Sequence, residues 1–112
     1  MRLRTRAIGD VVVLEADGQI AGGADHDVLV PALRDLVASG HRKIVVNLAG
    51  VSWINSTGLG ILIAGYVEMQ RGGGVLKLAQ VSPRIESLLA VNKLGKVFEV
   101  FAREEEAVRS FA

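Results

Sequence analysis

Three consecutive hydrogen-bonding side chains, Asn55-Ser56-Thr57, stand directly before Gly58-Leu59-Gly60 and an apolar run that continues to Val67. The pattern marks a helix start, where an N-cap oxygen accepts a backbone N–H that the first turn leaves without a partner. Capping accounts for Asn55 or Ser56. It does not account for all three polar residues, nor for Gly58, Gly60 and Gly65 within one helix. Each such glycine costs about 1 kcal/mol relative to alanine. A hydroxyl at this place has a chemical use. A phosphate added to it meets free N–H groups and the positive end of the helix dipole, so the folded domain tolerates the modification. It also brings about two negative charges, which repel a partner docked on that helix end.

Competing chemistry is sparse. Cysteine is absent, which removes disulfides, thiolate metal sites and Cys nucleophiles. The two histidines, His26 and His41, have no carboxylate at metal-ligand spacing, so no metal site is expected. No His-Glu-x-x-His, Gly-x-Ser-x-Gly or Gly-x-x-x-x-Gly-Lys-Ser/Thr motif occurs. Gly18-Gln19-Ile20-Ala21-Gly22-Gly23 lacks the lysine and the dinucleotide spacing and reads as a flexible connection. Trp53 reads as a lid over the edge of the core. No catalysis and no cofactor are expected.

The elements that position Asn55 to Gly58 follow from periodicity. Leu3 to Ile8 and Val11 to Ala16 flank Gly9-Asp10 as a hairpin. A glycine-rich loop, Asp17 to Gly23, leads to a helix with Asp25 and Asp27 near its start and Leu29, Leu33, Leu36 and Val37 along its face. Pro31 is expected in or near the first turn, or at a kink. Lys43 to Leu48 is a buried strand, a short loop carries Val51, Trp53 and Ile54, and Thr57 to Gln70 is the second helix. On it Leu59, Leu62, Ile63 and Tyr66 read as core, with Ile61 and Val67 off that stripe and exposed. Val75 to Ala79 is a strand, Ser82-Pro83 opens a third helix, Val97 to Phe101 is a fifth strand and Arg103 to Phe111 a last helix. The fold class is α/β. A mainly parallel sheet of about five strands carries an N-terminal antiparallel hairpin and about four helices.

With 112 residues, half of them apolar and 22% charged, residues 1–112 form one expected domain. Thirteen Lys/Arg against twelve Asp/Glu give a net charge of +1, which supplies no electrostatic basis for direct nucleic-acid binding. The longest apolar candidate, Gly58 to Val67, is far short of the roughly 20 residues that span a bilayer. No signal peptide is apparent at Met1 to Arg6, so a cytoplasmic protein without membrane insertion is expected.

The run VNLAGVSWINSTGLGILIAGY resembles the signature of STAS domains, specifically the bacterial anti-sigma factor antagonists, which carry Asp-Ser-Ser/Thr-Gly-Leu-Gly at a helix start. The resemblance extends over nearly the whole chain and implies a STAS-like single domain. It implies an antagonist that binds an anti-sigma factor kinase, regulates sigma-factor-dependent transcription, and is switched off by phosphorylation, with a phosphatase as a further partner. The family's phosphoacceptor then corresponds to Thr57, with Ser56 as the fallback. The partner-binding surface corresponds to Gly22, Gly23, Asp25, Asn55, Ser56, Thr57 and Gly58. Two departures stand out. Asn55 replaces the usual acid, and the loop Gln19 to Asp25 is longer than the common Glu-Leu-Asp pattern. An alternative within STAS domains is a subunit of a lipid or solute transport complex that docks on its ATPase. A small-ligand or nucleotide sensor is a third reading, resting on the glycine loop alone.

Overall fold

A computed structural model describes all of residues 1–112. Its elements run β1 (Arg2–Ile8), β2 (Val11–Ile20), α1 (Gly23–Ala38), β3 (Lys43–Ile54), α2 (Ser56–Arg71), β4 (Val75–Ala79), α3 (Pro83–Val91), β5 (Glu99–Phe101) and α4 (Glu104–Arg109). The strands lie in one sheet in chain order, β1-β2-β3-β4-β5. β1 and β2 are antiparallel, and all later pairings are parallel. This is the α/β arrangement expected from the sequence, a mainly parallel five-stranded sheet with an antiparallel opening hairpin and four helices.

Chain order in the sheet decides where the helices go. Each β-α-β crossover advances the sheet in the same direction, and right-handed crossovers then place α1, α2 and α3 on one face. Alternation along the strands sorts the core accordingly. Val12, Leu14, Ile44, Val46, Leu76 and Leu78 join the helices in a cluster of 20 buried residues, whereas Val11, Val13, Val45 and Ala79 face the other way in a cluster of five. α4 has no strand after it and folds onto that second face, where Ala107 is buried with Phe101, Val108 and Phe111 beside it. Because α4 is only six residues long, it leaves part of this face open.

Several local expectations change. The loops expected at Asp17 to Gly23 and after Leu48 are largely strand: β2 continues to Ile20 and β3 to Ile54. The two strands stay paired through Gly18↔Val51, Gln19↔Trp53 and Ile20↔Ile54, with irregular register at Glu15/Asp17 and Gly18/Gln19. Bulges let the glycines and polar residues remain in the ladder. Pro31 lies well inside α1 and the helix continues past it. The carbonyl deprived of its donor is that of Asp27, which is exposed and can be solvated. Ile61 is 4% exposed and part of the core, contrary to its position off the apolar stripe, because α2 packs on both the sheet and α1. Val67 is exposed, as expected. No helix is long and apolar enough to cross a membrane.

Candidate partner-binding and phosphorylation site

The paired extension of β2 and β3 ends at Ile20 and Ile54, so α1 and α2 begin side by side. Asn55 is the N-cap of α2. Its Oδ1 accepts from the Gly58 amide at 2.8 Å, and its carbonyl accepts from the Leu59 amide at 2.9 Å. Its Nδ2 donates to the Ala21 carbonyl at 3.4 Å, a long bond that ties the α2 start to the segment entering α1. Ser56 and Thr57 follow as the first two helical residues, and both are exposed. Their amides belong to the turn that has no intrahelical acceptor. The first turn contains no acidic residue.

Gly58 is fixed by packing. A Cβ there would overlap the Ile20 carbonyl and crowd Ile54 Cγ1, so only glycine lets α2 start this close to the end of β2. Gly65 has a similar role against α1, since its Cβ would lie 2.8 Å from Leu33 Cδ1. Gly60 is different: it is exposed and faces open space, so no contact within the domain requires it.

The α1 start is closed by its own carboxylate. Asp25 Oδ2 accepts from the amides of Ala21 at 2.8 Å and Gly22 at 3.2 Å, and Oδ1 receives the Met1 amino group at 3.1 Å. These donors, the Ala21 amide foremost, hold the Asp25 carboxyl below its ordinary range. Gly22 is the N-cap of α1 and Gly23 its first residue.

Thus the residues singled out in the sequence fall into one neighbourhood with unequal parts. Ser56, Thr57 and Gly23 are exposed there; Gly58 is buried, and Asp25 is engaged by the loop's own amides. Trp53, read from the sequence as a lid, is instead 37% exposed, just upstream of Asn55. Its place in the Gln19↔Trp53 pair turns it away from the helical layer that buries Val51 and Ile54. Val28 of α1 is 38% exposed and lies off the helix's buried stripe, which begins with Leu29. His26 and His41 are both exposed, and no group of three or more His, Cys, Asp or Glu is placed to hold a metal ion.

A STAS domain family model matches residues 2–107. The anti-sigma-B factor antagonist of Bacillus subtilis is 30% identical over 104 residues, covering 89% of this chain and 95% of that protein. Among solved structures, an anti-sigma factor antagonist from Mycobacterium paratuberculosis superposes with a TM-score of 0.82 at 22% identity, over 97% of this chain and 92% of that one. The phosphorylated form of the Bacillus cell fate determinant SpoIIAA gives 0.75 at 19% identity, over 99% and 100%.

Proposed function

The chain belongs to the STAS domain family, and we propose that it acts as an anti-sigma factor antagonist switched by phosphorylation at the start of α2. The supporting observation is the pair of exposed hydroxyls, Ser56 and Thr57, in a helix first turn that has no acidic residue and whose cap side chain accepts from the Gly58 amide. A protein so named in Bacillus subtilis is similar over nearly its full length. In this reading the unmodified chain binds an anti-sigma factor through the surface around Gly23, Asn55, Ser56 and Thr57. The anti-sigma factor is a kinase that transfers phosphate to Thr57, with Ser56 as the alternative acceptor. The dianion is accepted by the helix end and expels the partner, and a phosphatase restores binding. The chain works in the cytoplasm and performs no catalysis itself.

The test is incubation with the cognate anti-sigma kinase and ATP, followed by intact mass and fragment mapping. One phosphate is expected, lost in Thr57→Ala. Loss only in Ser56→Ala would move the acceptor by one residue, and a phosphate elsewhere or none would end the switch as proposed.

A further inference from the structure

We propose that the free edge of β1 is a second docking surface, which takes an extended protein segment bearing acidic residues at alternate positions. β1 closes one side of the sheet and pairs only with β2, so one row of its backbone N–H and C=O groups points outward. From Arg4 to Ile8 the strand is exposed on both faces. Arg2, Arg4 and Arg6 project from a single face, by the alternation of a strand. They are not equivalent. Arg6 is engaged, with Nη2 2.8 Å from Glu15 and 2.6 Å from Glu104, whereas Arg2 and Arg4 form no ion pair despite the acidic Asp17 and Glu15 as their cross-strand neighbours.

This pattern selects against one occupant and for another. A second copy pairing antiparallel through β1, with its helical layer on the same side, sets arginine opposite arginine in each register that aligns them. Like charges directly opposite are destabilising. An incoming strand with Glu or Asp at alternate residues sets acid opposite Arg2 and Arg4 instead, while its main chain continues the ladder. Repulsion of self and attraction of an acidic strand then come from the same side chains. The surface is separate from the α2 start, so it stands or falls independently of the phosphorylation switch.

The probe is a labelled synthetic peptide with Glu alternating with Thr and Val, read by fluorescence anisotropy and by hydrogen exchange of β1 amides. Binding with new protection in β1 is expected. Arg4→Gln should weaken it by several-fold with the melting midpoint unchanged, and Arg4→Glu by about tenfold or more, with a small drop in midpoint from the carboxylate it sets opposite Glu15. The chain with Arg2→Glu and Arg4→Glu should prefer the same peptide with Lys in place of Glu. A peptide N-methylated at alternate residues should fail. Equal binding of the N-methylated peptide, or no effect of Arg4→Glu, would overturn the proposal. So would Arg-dependent capture by phosphatidylglycerol vesicles without peptide binding, or a stable dimer paired through β1.

Discussion

The helices α1 and α2 begin next to each other at the ends of adjacent parallel strands, yet their first turns are finished differently. At α1 a carboxylate of the helix itself, Asp25, folds back onto the amides of Ala21 and Gly22. At α2 the cap is the neutral Asn55, and the next two side chains are exposed hydroxyls. Both ends carry the same partial positive charge. One is met by a carboxylate of its own helix, and the other has no acidic residue in its first turn. The difference separates a structural helix start from one suited to a switch, although fold and neighbourhood are shared.

The comparison breaks most severely at the glycines of α2. Gly58→Ala should destabilise the domain by about 3 kcal/mol or more, since the methyl group overlaps the Ile20 carbonyl, which is backbone and cannot step aside. Gly60→Ala, facing open space, should stabilise it by up to about 1 kcal/mol. Chemical denaturation of the two variants checks both signs. A mild effect at Gly58 would mean that the two helix starts are less tightly joined than the packing indicates.

Next in size is the α1 closure. Asp25→Ala should cost about 1–2 kcal/mol by freeing two loop amides. Because the folded carboxyl lies below its ordinary value, its contribution is present at neutral pH and is lost as pH falls below about 4. Glu104 behaves alike. Burial pushes its carboxyl up, but hydrogen bonds from Asn47 and Arg6 outweigh that and hold it below its ordinary value. Stability measured against pH should therefore decline on the acid side in the wild type and less steeply in Asp25→Ala and in Glu104→Gln. Unchanged acid slopes in both variants would refute these assignments.

The smallest stability effect is expected at Asn55. Aspartate keeps the cap on Gly58 and gains from the helix dipole, but loses the donor to Ala21, so Asn55→Asp should shift stability by less than about 1 kcal/mol. Its larger consequence is kinetic. If the missing charge slows phosphate transfer, the initial rate from the cognate kinase should rise in Asn55→Asp, and an unchanged or lower rate would remove that role from the residue.

How far this difference was legible in the sequence varies along the chain. A helix start capped by Asn55 or Ser56 follows from residue type and order, because capping is a local matter; the structure assigns the cap to Asn55 and leaves Ser56 and Thr57 exposed. The mainly parallel sheet with its antiparallel opening hairpin also follows from the alternation of strands and helices, whereas the strand order is set by which strands pair over long range. The continuation of β2 to Ile20 and β3 to Ile54 was hidden. Gly18, Gly50 and the polar residues around them signal loops, while the long-range pairing of the two strands keeps them in the sheet. That pairing is what brings the helix starts together and turns Trp53 outward. Ile61 departs from the sequence pattern for a related reason: a helical stripe anticipates one buried face, and α2 is buried on two.

The central claim is that charge at the α2 start controls partner binding without disturbing the fold. It is tested most directly by titration calorimetry of the anti-sigma partner against wild type and Thr57→Glu, with melting curves of both. The account predicts a melting midpoint equal to or slightly above wild type, since a carboxylate at a helix N-terminus gains about 0.3–1 kcal/mol. It predicts affinity for the partner lower by about tenfold or more, from an uncompensated charge in a docked surface. Equal affinity in a folded Thr57→Glu variant would place Thr57 outside the interface and contradict the switch assigned to it.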